Sequence, residues 1–456
     1  MPLAESIQDK LAGFLDGDAI VPPEQLDRYA LDGSVPRAVV RPAGRQAVAE
    51  FLRWASLEVV SVFPWGGGTQ AALGNVPSRV DVVLDLSRCV RILDYQPADL
   101  TATVEAGVTL QGLQQELERG GEFLPVEAPL AERATLGGIL AANATGPLRA
   151  SYGLPRDWLI GIGVVSAEGV ESKAGGKVVK NVTGYDLNKL YSGSMGTLAI
   201  IVEATFKLSP LPADTGTLVA AFSSMPEGIE AGRRLLRQTA SAQAVQVVEG
   251  QAGHHLGGEP GGRFTESLTV GGAATLAFFS GRPAAVRRRI EEGTRLLREA
   301  GATEVARLDH GEGRQLLRRL ADLGWSVETQ PYLGIKLSVP PAAVAQVAAG
   351  CRQDSSLGFP PGVVADPGFG TVQLFWWADS ISSWLDESLV LGTIARIRDL
   401  ARKAGGATVV EHCPLPLKKR IDIWGDSPQG MELMRRVKQK FDPLGILNPG
   451  RFVGKI

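Results

Sequence analysis

Residues 62–75 read Val-Phe-Pro-Trp-Gly-Gly-Gly-Thr-Gln-Ala-Ala-Leu-Gly-Asn, and the three consecutive glycines Gly66, Gly67 and Gly68 are the tightest constraint in the chain. An apolar, β-branched run followed by bare backbone predicts a strand that delivers a loop without side chains. Such a loop can take φ > 0 and bring main-chain N–H groups against phosphate oxygens. A pyrophosphate cradle is one reading, and an ordinary glycine turn after a strand is the other. Neither familiar nucleotide loop fits. A P-loop needs a Lys after its last glycine, and a Rossmann loop needs a third glycine where residue 71 is Ala.

At 456 residues the chain exceeds one ordinary core, since domains run to about 100–200 residues. A net charge of −2 gives no electrostatic reason to expect nucleic acid or an anionic membrane as partner. No run approaches the ~18 apolar residues that mark a membrane-spanning helix, and Met1–Ser6 has neither a basic nor an apolar leader pattern. The expectation is a cytoplasmic chain without a transmembrane segment, with membrane association, where it occurs, through partners. Cys89, Cys351 and Cys413 are widely spaced, so neither a disulfide framework nor a cysteine-held metal cluster is suggested.

Leu3, Ile7, Leu11 and Leu15 fall at helical spacing, and Pro22-Pro23 ends that segment. A strand through Val39-Val40, a helix over Gln46–Ser56 and a strand over Val59–Phe63 precede the glycines. Strands over Val80–Leu86, Val90–Asp94 and Thr101–Val108, then a helix over Leu110–Gly120, are too dense for a doubly wound sheet and indicate α+β. A second glycine-rich stretch spans Ala134–Gly146 behind Leu124–Pro129. Its small residues would let it lie on a flat ligand or pack closely on a neighbouring element. Lys177–Leu190 and Tyr191–Leu208 follow, the latter ending in an alternating strand.

The ordered set Gly66-Gly67-Gly68-Thr69, Ala134-Thr135-Leu136-Gly137-Gly138, Tyr152-Gly153 with Arg156-Asp157, Lys180-Asn181-Val182-Thr183-Gly184-Tyr185-Asp186-Leu187, and Gly193-Ser194-Met195-Gly196-Thr197-Leu198 resembles the PCMH-type FAD-binding domain of the vanillyl-alcohol oxidase superfamily. The Lys180–Leu187 variant is similar to the FAD-binding E subunit of glycolate oxidase complexes. The resemblance spans about residues 28–211 and resumes at Glu411-His412 and Phe441–Arg451. It implies an α+β fold in which a two-subdomain FAD-binding domain carries a cap. By position, Gly66, Gly67, Gly68 and Thr69 would hold the pyrophosphate, with Gln70 and Asn75 beside the ribityl or ring end. Pro129, Thr135, Gly138 and Ala142 would line the isoalloxazine and ribityl chain, and Gly196, Ile201 and Val202 would hold the adenine end. Met195 stands where the superfamily often has Glu.

Beyond Pro212, the order β-α-β-β-α-β over Thr217–Leu308 suggests a ferredoxin-like half, and a second run follows from Tyr332 through Trp377 to a helix over Leu385–Ala404. The glycine-rich stretch 257–262 reads as a loop, and His254-His255 beside it as solvent-facing. The expected domains are a helical segment 1–27, the FAD-binding domain 28–211, a cap 212–405, and a C-terminal segment 406–456 that returns to the FAD domain.

Related D-lactate-type dehydrogenases carry a His-rich metal loop in the cap. Here the matching loop, Ala365–Leu374, has no histidine, and only Glu411-His412 remains of the later segment, so no metal of that type is expected. Two functions compete. In the first, His412 is the base and Lys336 the carboxylate ligand in oxidation of a small 2-hydroxyacid by hydride transfer to flavin N5. In the second, the chain is an electron-relay or scaffold subunit. Both readings expect non-covalent FAD, because residues 1–253 hold no His and only Cys89. Both also expect a catalytic flavoprotein paralogue and an iron–sulfur subunit as partners, with Phe375, Trp376 and Trp377 either a candidate contact or buried within the cap.

Overall fold

The computed structural model describes residues 7–15, 17–177, 185–238, 242–257, 272–377 and 386–456. Residues 178–184 of the third glycine-bearing motif and 258–262 of the expected loop lie outside them, as do 3–6 of the first helix and residue 385. The chain forms two compact units, one made of Met1–Ala144, Leu154–Leu211 and Asp426–Ile456, the other of Thr145–Gly153 and Pro212–Gly425.

In the first unit, β1 (Ala38–Val40), β2 (Val62–Trp65) and β3 (Val82–Asp85) make a parallel sheet in the order β1-β3-β2. Parallel strands are buried on both sides, which is why β1 reads as an unbroken apolar run and β3 as Val82-Val83-Leu84 before Asp85. The helix Arg45–Leu57 covers the sheet with Val48, Phe51, Leu52 and Ala55 at helical spacing. A second, antiparallel sheet has the order β4-β5-β9-β7-β8, from β4 (Ile92–Gln96), β5 (Thr101–Glu105), β7 (Leu159–Val165), β8 (Glu171–Gly175) and β9 (Ile200–Lys207). A two-residue strand β6 (Glu122–Phe123) pairs with β10 (Ser209–Pro210).

The second unit holds one eight-stranded sheet, β14-β11-β13-β12-β16-β17-β15-β18. Its strands are β11 (Asp214–Phe222), β12 (Ala242–Glu249), β13 (Ala273–Gly281), β14 (Glu304–Leu308), β15 (Leu333–Ser338), β16 (Gly362–Asp366), β17 (Thr371–Trp376) and β18 (Ala407–His412). Every pairing is antiparallel. The first four strands with helices Met225–Gln238 and Pro283–Glu299 form one β-α-β-β-α-β half, as the sequence suggests. The last four, with helices Val344–Arg352 and Glu387–Lys403, repeat it, and β12 beside β16 joins the halves into one sheet.

Two boundaries differ from the sequence reading. Residues 406–425 belong to the second unit, because β18 pairs with β15, and the return to the first unit starts at Asp426. Residues 145–153 also belong to the second unit, where Ser151 Oγ donates to the Gln243 carbonyl at 2.6 Å.

Candidate functional site

The loop that leaves β2 lines an open groove in the first unit. Gly66, Gly67, Gly68, Thr69, Gln70, Pro129, Thr135, Gly138, Ala142, Gly196 and Ile201 are on its wall, together with Trp65, Met195, Asn448 and Arg451. Gly68 and Gly196 have φ of +68°, where glycine avoids the clash of a side chain with its own backbone. Gly66 and Gly67 do not. A Cβ on Gly66 would overlap Thr135 Oγ1 and one on Gly67 would overlap the Arg133 carbonyl oxygen. Of the three consecutive glycines, only Gly68 uses the positive φ that such a loop can take. Two of them are small because residues 133–135 press on the loop, and Arg133 Nη2 donates to the Gly67 carbonyl at 3.2 Å.

Asn75 and Val202 are not on this wall. Asn75 is a clamp: its N–H donates to Arg451 O at 2.8 Å and its Nδ2 to Phe452 O at 3.1 Å. Val202 is buried, and its carbonyl accepts the Ala106 N–H at 3.0 Å.

The C-terminal stretch explains how the loop is held. Asp442 accepts the N–H groups of Ile446 and Leu447 at 3.0 and 2.8 Å, and Lys438 Nζ reaches Asp442, Leu447 O and Thr197 O at 2.6, 2.9 and 2.8 Å. That knot sets Asn448 beside β2, where its N–H donates to Val62 O at 2.9 Å. Three residues on, the fully buried Arg451 meets Asp32 at 2.7 Å and donates to the carbonyls of Ala71, Leu73 and Asn75. One guanidinium therefore fixes the path of the loop after the glycines.

In the second unit, polar side chains gather on β15, β16, β17 and β18. Lys336 pairs across the sheet with Gln373 and Val409, and its Nζ is 3.6 Å from Glu411. A bulge at Gly334/Ile335 sets His412 opposite Gly334, where a Cβ would press on the imidazole. The Trp325 ring meets His412 edge-on at 4.6 Å. Among the described residues, the buried Nε2 of His412 has no hydrogen-bond partner. Burial, and then the charge of Lys418, push its pKa down to about 4. The imidazole is neutral near pH 7, but its proton affinity is far below that of a base poised there, a correction to the sequence expectation.

Asp366 accepts the N–H groups of Gly368 and Phe369 and the Gln246 amide, while burial pushes its carboxyl up. Arg149 sets its guanidinium 3.6 Å from the centre of the Phe369 ring, within the fields of Asp366 and Glu411. Its buried Nε has no partner among the described residues, and burial lowers its pKa. Sequence reading missed Arg149 and Gln373, which lie outside any glycine pattern, and left Asn448 and Arg451 without roles. Alternation along β17 gives the only hint of Gln373.

Among the described residues no group of three or more His, Cys, Asp and Glu side chains could hold a metal ion, and no helix is long and apolar enough to cross a membrane. His254 is exposed, whereas His255 stacks on Trp377 at 4.1 Å rather than facing solvent. Phe375, Trp376 and Trp377 are at most 4% exposed, so this chain covers both faces of that strand end, which is the buried reading of that cluster and not the partner contact.

A family model described as an FAD binding domain matches residues 36–175, and one described as the C-terminal domain of FAD linked oxidases matches 211–452. The chain is 30% identical to a D-lactate dehydrogenase of Archaeoglobus fulgidus over 96% of its own length and 97% of that protein. It is 27% identical to the glycolate oxidase subunit GlcD of Bacillus subtilis, over 92% and 90%. The structure of p-cresol methylhydroxylase with substrate bound shares the fold at 18% identity and a TM-score of 0.74, covering 97% of this chain and 95% of that one.

Proposed function

The chain belongs to the family of FAD-linked oxidases, and on that premise we propose that it holds FAD without a covalent tether in the glycine-lined groove and oxidises a small 2-hydroxyacid to the 2-oxoacid. We place it in a glycolate oxidase-like complex, beside a catalytic flavoprotein paralogue and an iron–sulfur subunit. The observation that carries the reading is the groove, whose wall at Gly66, Gly67, Gly68, Gly138 and Gly196 is bare backbone able to meet phosphate and ring atoms closely. Cys89 is 2% exposed, off that wall, and accepts the Gly44 N–H through its sulfur, which supports a non-covalent cofactor.

Bound FAD supplies the hydride acceptor for such an oxidation. The protein's share is orientation and proton transfer. Lys336 and Arg149 are the cations for a carboxylate, and the bare Nε2 of His412 is the acceptor for the hydroxyl proton. The D-lactate and glycolate named in the two relatives are both 2-hydroxyacids, which supports this substrate class.

One observation favours the second reading, an electron-relay or scaffold subunit. With a pKa of about 4, His412 is a weak base, and Glu411 already engages Lys336. The test is anaerobic mixing of the isolated chain with glycolate or D-lactate while flavin absorbance is followed, alone and after co-expression with its genomic neighbours. Bleaching in either preparation supports oxidation, and bleaching only with partners supports the subunit role. No bleaching in either would leave the relay reading.

A further inference from the structure

We propose that the side-chain carbonyl of Asn448 is an acceptor built for a hydrogen-bond donor of the bound FAD. Asn448 lies on the groove wall and is 3% exposed. Its Nδ2 donates to the backbone carbonyl of Met195. A carbonyl oxygen cannot serve in that position, because Met195 O can only accept, so the orientation of the amide is fixed chemically. Oδ1 therefore turns away from Met195, and among the described residues it is buried without a partner.

A buried carbonyl oxygen left without a donor is rare and costly, so its persistence points to a donor that arrives with a ligand. The residue cannot turn to find another. Its N–H is bonded to Val62 O, the carbonyl before it is held by Lys438, and its φ of +46° lies in the narrow left-handed well. The thioether of Met195, also on the wall, is only a weak acceptor. FAD brings ring N–H, amine and hydroxyl donors, any of which would complete this site. The inference rests on FAD occupying the groove and not on the identity of the hydroxyacid.

Asn448→Gly is the direct probe, because glycine accepts the left-handed backbone and no strain is added. FAD titration of the stripped full-length chain should show binding weakened about 10- to 100-fold, the range expected when a buried acceptor is satisfied only in the complex. The thermal midpoint of the stripped chain should fall only by what the lost Nδ2 bond to Met195 contributes, since Oδ1 has no partner there. Asn448→Asp keeps the acceptor and the size but cannot donate to Met195. It should lower the stripped-chain midpoint while binding FAD more tightly than the glycine variant. Unchanged FAD affinity in Asn448→Gly overturns the proposal. So does an aspartate variant that loses FAD as fully as glycine does, which would place the effect in the Met195 bond. Neither measurement uses a hydroxyacid, so failure here leaves the proposed oxidation standing, and the reverse also holds.

Discussion

Gly67 packs so closely against the carbonyl of Arg133 that any side chain at 67 would occupy the same space as that oxygen. The neighbour is backbone and cannot rotate aside, so even one methyl must displace residues 133–135 or the loop. Gly67→Ala should therefore destabilise the stripped protein by about 1–3 kcal/mol, as overpacking does, and weaken FAD retention as well. Urea unfolding without flavin is the check. A variant with normal stability that merely loses FAD would mean the glycine is kept for the ligand and not for the loop contact.

Arg451 and Asp32 are joined at 2.7 Å, the guanidinium fully buried and the aspartate half-buried, and the same guanidinium serves three loop carbonyls. Arg451→Met leaves Asp32 without its guanidinium, a loss of about 3–5 kcal/mol by the usual cost of breaking a buried pair. Adding Asp32→Asn should recover part of that loss, because the carboxylate no longer lacks the guanidinium's charge. Arg451→Lys keeps the charge but not the planar fork, and should fall between. Equal stabilities of the single and double variants would show that the ion pair is not the element at work.

The glycine loop and the alternating strands were legible because their signals are local. Gly66–Gly68 follow a β-branched run, and the β-α-β-β-α-β order of the second unit shows in its hydropathy. What holds the loop was not legible: Arg451 reaches Asn75 across 376 positions, and no spacing rule connects them. The family resemblance put Asn75 beside the ribityl or ring end, yet its side chain donates to Phe452 O. Neighbours along an extended segment point to opposite sides, so Trp376 and Trp377 need cover on two faces. Sequence alone could not say that this chain covers both.

The pKa of His412, lowered to about 4, sets a pH dependence with a definite sign. Unfolded, the imidazole takes a proton below about pH 6.5, whereas the native ring takes one only near 4, so the unfolded state binds more protons between those values. Stability is then complete above about pH 6.5 and lost as the pH falls toward 4, by roughly 2 kcal/mol between pH 7 and 5. His412→Phe keeps an aromatic ring beside Trp325 and removes the titration. Urea unfolding at pH 7 and pH 5 should give a smaller drop for the variant by about that amount. A drop of the same size in both proteins would assign the acid loss to carboxylates such as Asp354, whose pKa the Arg396 bond lowers despite burial.

Arg149 holds a largely buried guanidinium on the Phe369 ring with its Nε unused among the described residues, which leaves it able to meet an anion. If the carboxylate of a 2-hydroxyacid is that anion, Arg149→Gln removes binding common to the ground state and the transition state. KM should then rise about 10- to 100-fold with kcat little changed, the loss expected for a charge-assisted hydrogen bond. Arg149→Lys should keep only part of the affinity, since an ammonium cannot reproduce the planar fork. Oxalate, a carboxylate that cannot be oxidised in this way, gives a readout free of turnover through its perturbation of the flavin spectrum. Its dissociation constant should rise in parallel with KM in the glutamine variant. Unchanged oxalate binding together with a reduced kcat would move Arg149 from binding the acid to positioning Asp366 and Glu411, the two carboxylates whose fields it shares.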